Sequence, residues 1–98
     1  MSDEKKYAGL AKLILQHIGG PSNVADYTHC MTRLRITPVN RKKTDIDSIK
    51  ALEGVIGVVE VIGAVDIYVD SAQGTGKYVF MFRHIRQYIR YFNLLSQH

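Results

Sequence analysis

Between Val24 and Thr37 the chain alternates in period two on both sides of its only cysteine, Cys30. Val24, Asp26 and Thr28 alternate with Ala25, Tyr27 and His29, and then Leu34 and Ile36 alternate with Arg33, Arg35 and Thr37. Such alternation specifies strands, because successive side chains of an extended backbone point to opposite faces. Two short strands joined at or beside Cys30 therefore make a hairpin, with Leu34 and Ile36 on one face and the arginines on the other. Pro38 has no amide to give to a ladder, so the second strand ends there or lies at a sheet edge.

The segments around this hairpin supply its support. Ser2 and Asp3 can cap a first helix whose apolar positions Tyr7, Leu10, Ala11, Ile14 and Ile18 follow helical spacing, with Gly19-Gly20-Pro21 ending it. Leu13 and Leu15 lie off that stripe, which predicts burial on more than one side. Arg41-Lys42-Lys43 reads as a solvated basic loop. Thr44-Asp45-Ile46-Asp47 has the form of a capping box, opening a helix of about three turns with Ile46, Ile49 and Leu52 on one face and Gly54 at its end. Val55 to Val61 is rich in β-branched residues, Gly63-Ala64 forms a turn, and Val65, Ile67 and Val69 alternate with Asp66, Tyr68 and Asp70. This is a second hairpin, with Gly57 marking a bulge. Thr75 caps a final helix carrying two stripes, Tyr78, Phe82, Ile85, Ile89 and Phe92, and Met81, Tyr88, Tyr91 and Leu95. Gly74-Thr75-Gly76-Lys77 resembles part of a phosphate-binding loop but lacks its upstream glycine and following Ser/Thr. The order helix, hairpin, helix, hairpin, helix makes an α+β two-layer sandwich, and helices over the Leu34 face leave the Arg33 and Arg35 face open.

Ninety-eight residues with 46% apolar content suffice for a single domain, residues 1–98, with a modest core. One cysteine excludes an internal disulfide and any zinc site needing two thiolates, and it fits a reducing cytosol. No charged segment followed by an apolar run opens the chain, and no apolar stretch is long enough to span a bilayer, so the chain as given is expected to be soluble. The formal net charge of +4 arises wholly from Lys77, Arg83, Arg86 and Arg90, which face no acidic residue from Ser71 onward. Anionic partners are favoured.

A free thiol titrates near pH 8.5, and adjacent cations expose its nucleophilic thiolate at neutral pH. Arg33 and Arg35 supply permanent charge beside Cys30, and His29 adds more when protonated. The same groups suit a phosphoryl group, whose transfer rests on positioning and on neutralising the equatorial oxygens. Two other cysteine chemistries fail on spacing. A cysteine-phosphatase loop needs one residue more than the four between Cys30 and Arg35, and thioredoxin-like chemistry needs a second cysteine where Arg33 stands.

Asn23-Val24, five residues, then Cys30-Met31-Thr32-Arg33-Leu34-Arg35-Ile36 resembles the phosphorylation-site signature of the IIB component of the bacterial phosphoenolpyruvate-dependent sugar phosphotransferase system, glucose/sucrose branch. The opening helix ended by IGGPSNV and the IKALEGVIGVVEV segment extend the likeness over most of the chain. The resemblance implies a four-stranded antiparallel sheet with three helices on one face. It implies that Cys30 accepts a phosphoryl group from phosphohistidine on a IIA domain and passes it to a sugar bound by a IIC membrane domain. Arg33 and Arg35 would support this transfer, and Thr32, the amides near Met31 and His29 would line the phosphate site. No metal or organic cofactor and no nucleic acid is implied. The expected place of action is cytoplasmic, at the inner face of the cell membrane where IIC lies.

The chain departs from the family pattern at Pro38 and Asn40, and more consequentially at Asp66, in the region of the family's G-x-Q. If Asp66 stands where that glutamine approaches the phosphate, a carboxylate replaces a hydrogen-bond donor and opposes a dianion. The aromatic, basic final helix is also atypical. Two other readings follow: a module binding RNA or phosphoprotein through the basic face and C-terminal helix, with Tyr27 and Tyr68 as stacking surfaces, or a degenerate IIB-like domain without turnover.

Overall fold

The computed structural model describes residues 3–29, 33–69 and 76–96. In chain order the elements are α1 (Asp3–Ile18), β1 (Val24–His29), β2 (Leu34–Pro38), α2 (Ile46–Lys50), β3 (Val55–Val61), β4 (Ala64–Val69) and α3 (Gly76–Ser96), with short 3-10 turns at Pro21–Asn23 and Arg41–Lys43. All strand pairs are antiparallel and their order is β1-β2-β4-β3. The helices cover one face of this sheet, as the α+β reading expects. Each hairpin is thus a sequence neighbour pair, but the middle of the sheet is the junction of the two hairpins.

The core lies between sheet and helices. Leu34 and Ile36 of β2, Val65, Ile67 and Val69 of β4, Ile49 of α2, and Leu10, Ala11, Ile14, Leu15 and Ile18 of α1 are buried together with Met81, Ile85 and Ile89 of α3. Burying isoleucine-sized side chains removes apolar surface from water, at about 1.5–3 kcal/mol each. Leu15 joins this core and Leu13 does not, being 42% exposed.

Pro38 ends β2, the first of the two expected alternatives, and the strand lies inside the sheet. Other local features differ from expectation. The β3–β4 turn is Ile62-Gly63, with Gly63 at φ 77°, and Ala64 already belongs to β4. The expected bulge is present as a register shift between Val55 and Gly57, and a second one interrupts β1 between Val24 and Asp26. The α2 cap is Asp45, which accepts a hydrogen bond from the Ser48 amide at 3.1 Å. Thr44 cannot serve there because it is buried and its hydroxyl donates to the Ile18 carbonyl at 2.8 Å. The helix that follows is five residues long, shorter than three turns.

The final helix lies mainly against α1 and meets the sheet at β1, where Phe82 contacts Tyr27 with ring centroids 5.5 Å apart. Its buried line, Met81, Ile85 and Ile89, draws on both expected stripes, while Tyr91 is 63% exposed. The packing surface therefore runs between the two stripes. The proposed caps Ser2 and Thr75, the Gly74-Thr75 segment and the side chains of Tyr78 and Leu95 lie outside those described.

Candidate functional site

The last paired residues of the first hairpin are His29 and Leu34, so residues 30 to 33 form its connection. Cys30, Met31 and Thr32 lie outside the described residues, whereas His29 and Arg33 on either side of them are described. The site is built from those two ends and from the open face of the sheet.

Cross-strand register places Thr28, Arg35, Asp66 and Val59 in one row across β1, β2, β4 and β3. On the two inner strands their neighbours in sequence, Leu34 and Ile36 of β2 and Val65 and Ile67 of β4, face the helices and are buried. The alternation in β2 therefore puts the arginines on the uncovered face, as expected from sequence.

Asp66 is the centre of the charge arrangement. Arg35 donates through Nε to Oδ1 at 2.7 Å and through Nη2 to Oδ2 at 3.0 Å, and Nε of Arg33 stands 3.6 Å from Oδ2. The carboxylate side chain is 3% exposed, and those of Arg33 and Arg35 are 37% and 38% exposed. Two guanidiniums thus cover one carboxylate while keeping part of their surface in solvent. The Arg35 hydrogen bonds hold the Asp66 carboxyl below the ordinary range, with the charges of Arg35 and Arg33 acting the same way against the opposing effect of burial. Asp66 is turned to the arginines instead of standing alone against an incoming anion. The sequence reading identified the residue but not this partnership, whose only signal was its place in a strand alternation beside an arginine-bearing strand.

Thr28, His29, Arg33 and Arg35 line an open cavity of about 190 Å³ at this end of the sheet. His29 packs its ring against Phe82 of α3, centroids 4.3 Å apart, and its Nδ1 is buried without a hydrogen-bond partner among the described residues. The structure thus gathers three of the expected site residues, His29, Arg33 and Arg35, around the ends of the Cys30 connection. Arg41 of the basic loop lies elsewhere, engaged with Glu60 at 2.6 and 2.7 Å.

A second polar cluster ties the start of this hairpin to the first helix. Asn23, the first residue of the quoted signature, is 4% exposed and donates through Nδ2 to the carbonyls of Ile18 at 2.7 Å and Asn40 at 3.0 Å. Its role is to hold the hairpin rather than to meet a ligand.

The fold and site define a small α+β domain that presents a carboxylate-ordered arginine pair beside a hairpin connection carrying a lone cysteine. Residues 12–45 match the family described as phosphotransferase system, EIIB. The Bacillus subtilis (strain 168) protein YbbF, by name a PTS system EIIBC component, is 55% identical over 60 residues, covering 61% of this chain and 13% of that protein. The N-acetylmuramic acid-specific EIIBC component of Pasteurella multocida (strain Pm70) is 49% identical over 47 residues, covering 48% of this chain and 10% of that protein. A crystal structure of one domain of the PTS system IIabc component from Clostridium difficile superposes with a TM-score of 0.74 and 27% identity, covering 88% of this chain and 85% of that one. Over these residues the chain is similar to the EIIB domains of the phosphotransferase system, in sequence and in fold. It spans 13% and 10% of the lengths of the two relatives compared.

Proposed function

We propose that the chain is a phosphoryl relay in sugar uptake, with Cys30 as the residue that carries the phosphoryl group. In this reading residues 1–98 are one IIB-like domain. The Cys30 thiolate attacks the phosphorus of a phosphohistidine on a IIA partner. The P–N bond breaks, the S–P bond forms, and the imidazole is the leaving group. A hydroxyl oxygen of a sugar held by a IIC membrane domain then attacks the phosphorus and the S–P bond breaks. The thiolate is regenerated, and the hydroxyl proton passes to a base on the sugar-binding side. The relay needs neither a metal nor an organic cofactor, and nucleic acid is not a partner.

The observation that carries this reading is the pair of guanidiniums held by Asp66 at the end of the sheet from which the Cys30 connection leaves. Permanent positive charge there favours thiolate over thiol and offsets charge on the equatorial phosphoryl oxygens. Arg33 and Arg35 act in that role, Thr32 and the amides near Met31 line the phosphate, and His29 flanks the nucleophile. Among the described residues no helix is long and apolar enough to cross a membrane. The place of action is the cytoplasmic face of the cell membrane, where a joined or docked IIC domain holds the sugar.

The test is intact mass spectrometry after mixing the chain with phosphoenolpyruvate, the general phosphotransferase proteins and a phosphorylated IIA partner. A one-phosphate increase that Cys30→Ser abolishes supports the relay. An increase that survives in Cys30→Ser, or none with several IIA partners, overturns it. One observation favours a second reading, as a module binding RNA or phosphoprotein: Arg83, Arg86 and Arg90 are exposed on a helix without an acidic residue. Charge reversal at Arg86 and Arg90 abolishes anion binding in that reading and leaves Cys30 phosphorylation intact in the first.

A further inference from the structure

We infer that Asp66 is a positioning residue that orients Arg35 and sets how much positive charge the Arg33 and Arg35 pair presents to Cys30. The inference rests on the site proposed above and concerns its regulation by a residue of a different hairpin. Asp66 is fixed on β4, directly opposite Arg35 in the β2–β4 register. Its two oxygens match two nitrogens of Arg35 at 2.7 and 3.0 Å, a fork-on-fork geometry that sets the plane of the guanidinium. Arg33 meets the same carboxylate only through a longer contact of 3.6 Å, and it is the residue that closes the Cys30 connection. The two arginines are therefore unequal, one anchored in the sheet and the other held loosely at the mouth of the cavity.

The charges follow simply. Within the cluster of described residues, two guanidiniums and one carboxylate sum to a single positive charge beside the cavity. Among the described residues the other titratable groups are Asp26 and Tyr68 on the open face and His29 on the helix side of β1, while β3 brings Val59 to the charge row and its Glu60 is engaged by Arg41. Asp66 thus keeps the site less cationic than its two arginines alone would make it. A strongly cationic site would hold a phosphorylated cysteine too well, and a relay must release what it accepts.

The test reads the thiol directly, without any phosphoryl donor. Cys30 is the only cysteine, so its alkylation by iodoacetamide can be followed by mass spectrometry across a pH series. Asp66→Asn removes the negative charge and should raise the rate at pH 7 by about threefold to tenfold, with the limiting rate at high pH unchanged. Asp66→Glu keeps the charge and should stay within about twofold of the natural chain, while Arg33→Gln should slow the reaction at pH 7. Superimposable pH profiles for folded Asp66→Asn and the natural chain overturn the inference. Should Asp66→Asn fail to fold, Arg33→Gln decides, since an unchanged rate there means that the cluster's charge does not reach the thiol. A thiol that responds as expected in a chain that accepts no phosphoryl group retains this role for Asp66 and removes the relay.

Discussion

Asn23 and Asn40 bind each other through one reciprocal pair: the Asn40 amide donates to Oδ1 of Asn23 at 2.8 Å, and Nδ2 of Asn23 donates to the Asn40 carbonyl at 3.0 Å. The same Nδ2 reaches the Ile18 carbonyl at 2.7 Å, so one side chain joins the end of α1, the start of β1 and the segment after β2. Only a primary amide supplies an acceptor and two donors in this arrangement. Asn23→Ala and Asn23→Asp should each cost about 2–3 kcal/mol, the second because a carboxylate would face two carbonyl oxygens. Urea denaturation measures this, and a loss below about 0.5 kcal/mol would remove Asn23 from the hinge of the hairpin.

The Asp66 cluster should make stability depend on acid. Its carboxyl titrates below the ordinary value near 4 because Arg35 hydrogen-bonds the charged form. A group depressed in the folded state contributes stability above its unfolded pKa, and this is lost as pH falls through the folded value. Asp66→Asn should therefore cost about 1–2 kcal/mol at pH 7, a modest figure because Arg35 remains partly hydrated. The gap between variant and natural chain should close below about pH 4 in thermal melts, and a constant gap would contradict the ion pair.

Ile67 and Ile62 test the core and the turn of the second hairpin. Ile67 is fully buried beneath the helices on an inner strand, whereas Ile62 at the turn is fully exposed. Ile67→Ala should cost about 3 kcal/mol through lost burial and the cavity left behind, and Ile62→Ser should change stability by less than about 0.5 kcal/mol. Equal effects in chemical denaturation would contradict the burial of Ile67 beneath the helices.

Gly54 joins α2 to β3 with φ at 100°, and a Cβ built there would lie 3.0 Å from Cδ2 of Leu10. Both conformation and contact oppose a side chain. Gly54→Ala should cost about 1–2 kcal/mol, measured by the same denaturation.

The two hairpins were legible because their period is local: Leu34 and Ile36 against Arg33 and Arg35 can be read from a few consecutive residues. Asp66 was legible as a member of the open face but not as the partner of Arg35, since no local pattern says which strands of two hairpins lie side by side. A capping box is a motif of spacing, and its spacing points to Thr44 as the cap. Its hydroxyl is instead drawn to the Ile18 carbonyl, 26 positions away. Asn23 could be quoted as part of a signature, yet its work is in bonds to Ile18 and Asn40 that spacing does not reveal. On α3 neither expected stripe is the packed surface: the buried line Met81, Ile85 and Ile89 draws on both, and Tyr91 is exposed.

The strand order β1-β2-β4-β3 carries one more consequence. Arg33 and Arg35 belong to the first hairpin and Asp66 to the second, with 31 positions separating Arg35 from its carboxylate. A chain cut at the exposed turn Arg41–Lys43 would yield one fragment holding the thiol with both cations and another holding the anion. Neither piece could form the cluster by its own local structure, however complete. Complementation of the two halves would restore the ion pairs and the thiol environment together, making the reactivity of Cys30 a gauge of tertiary assembly as well as of chemistry.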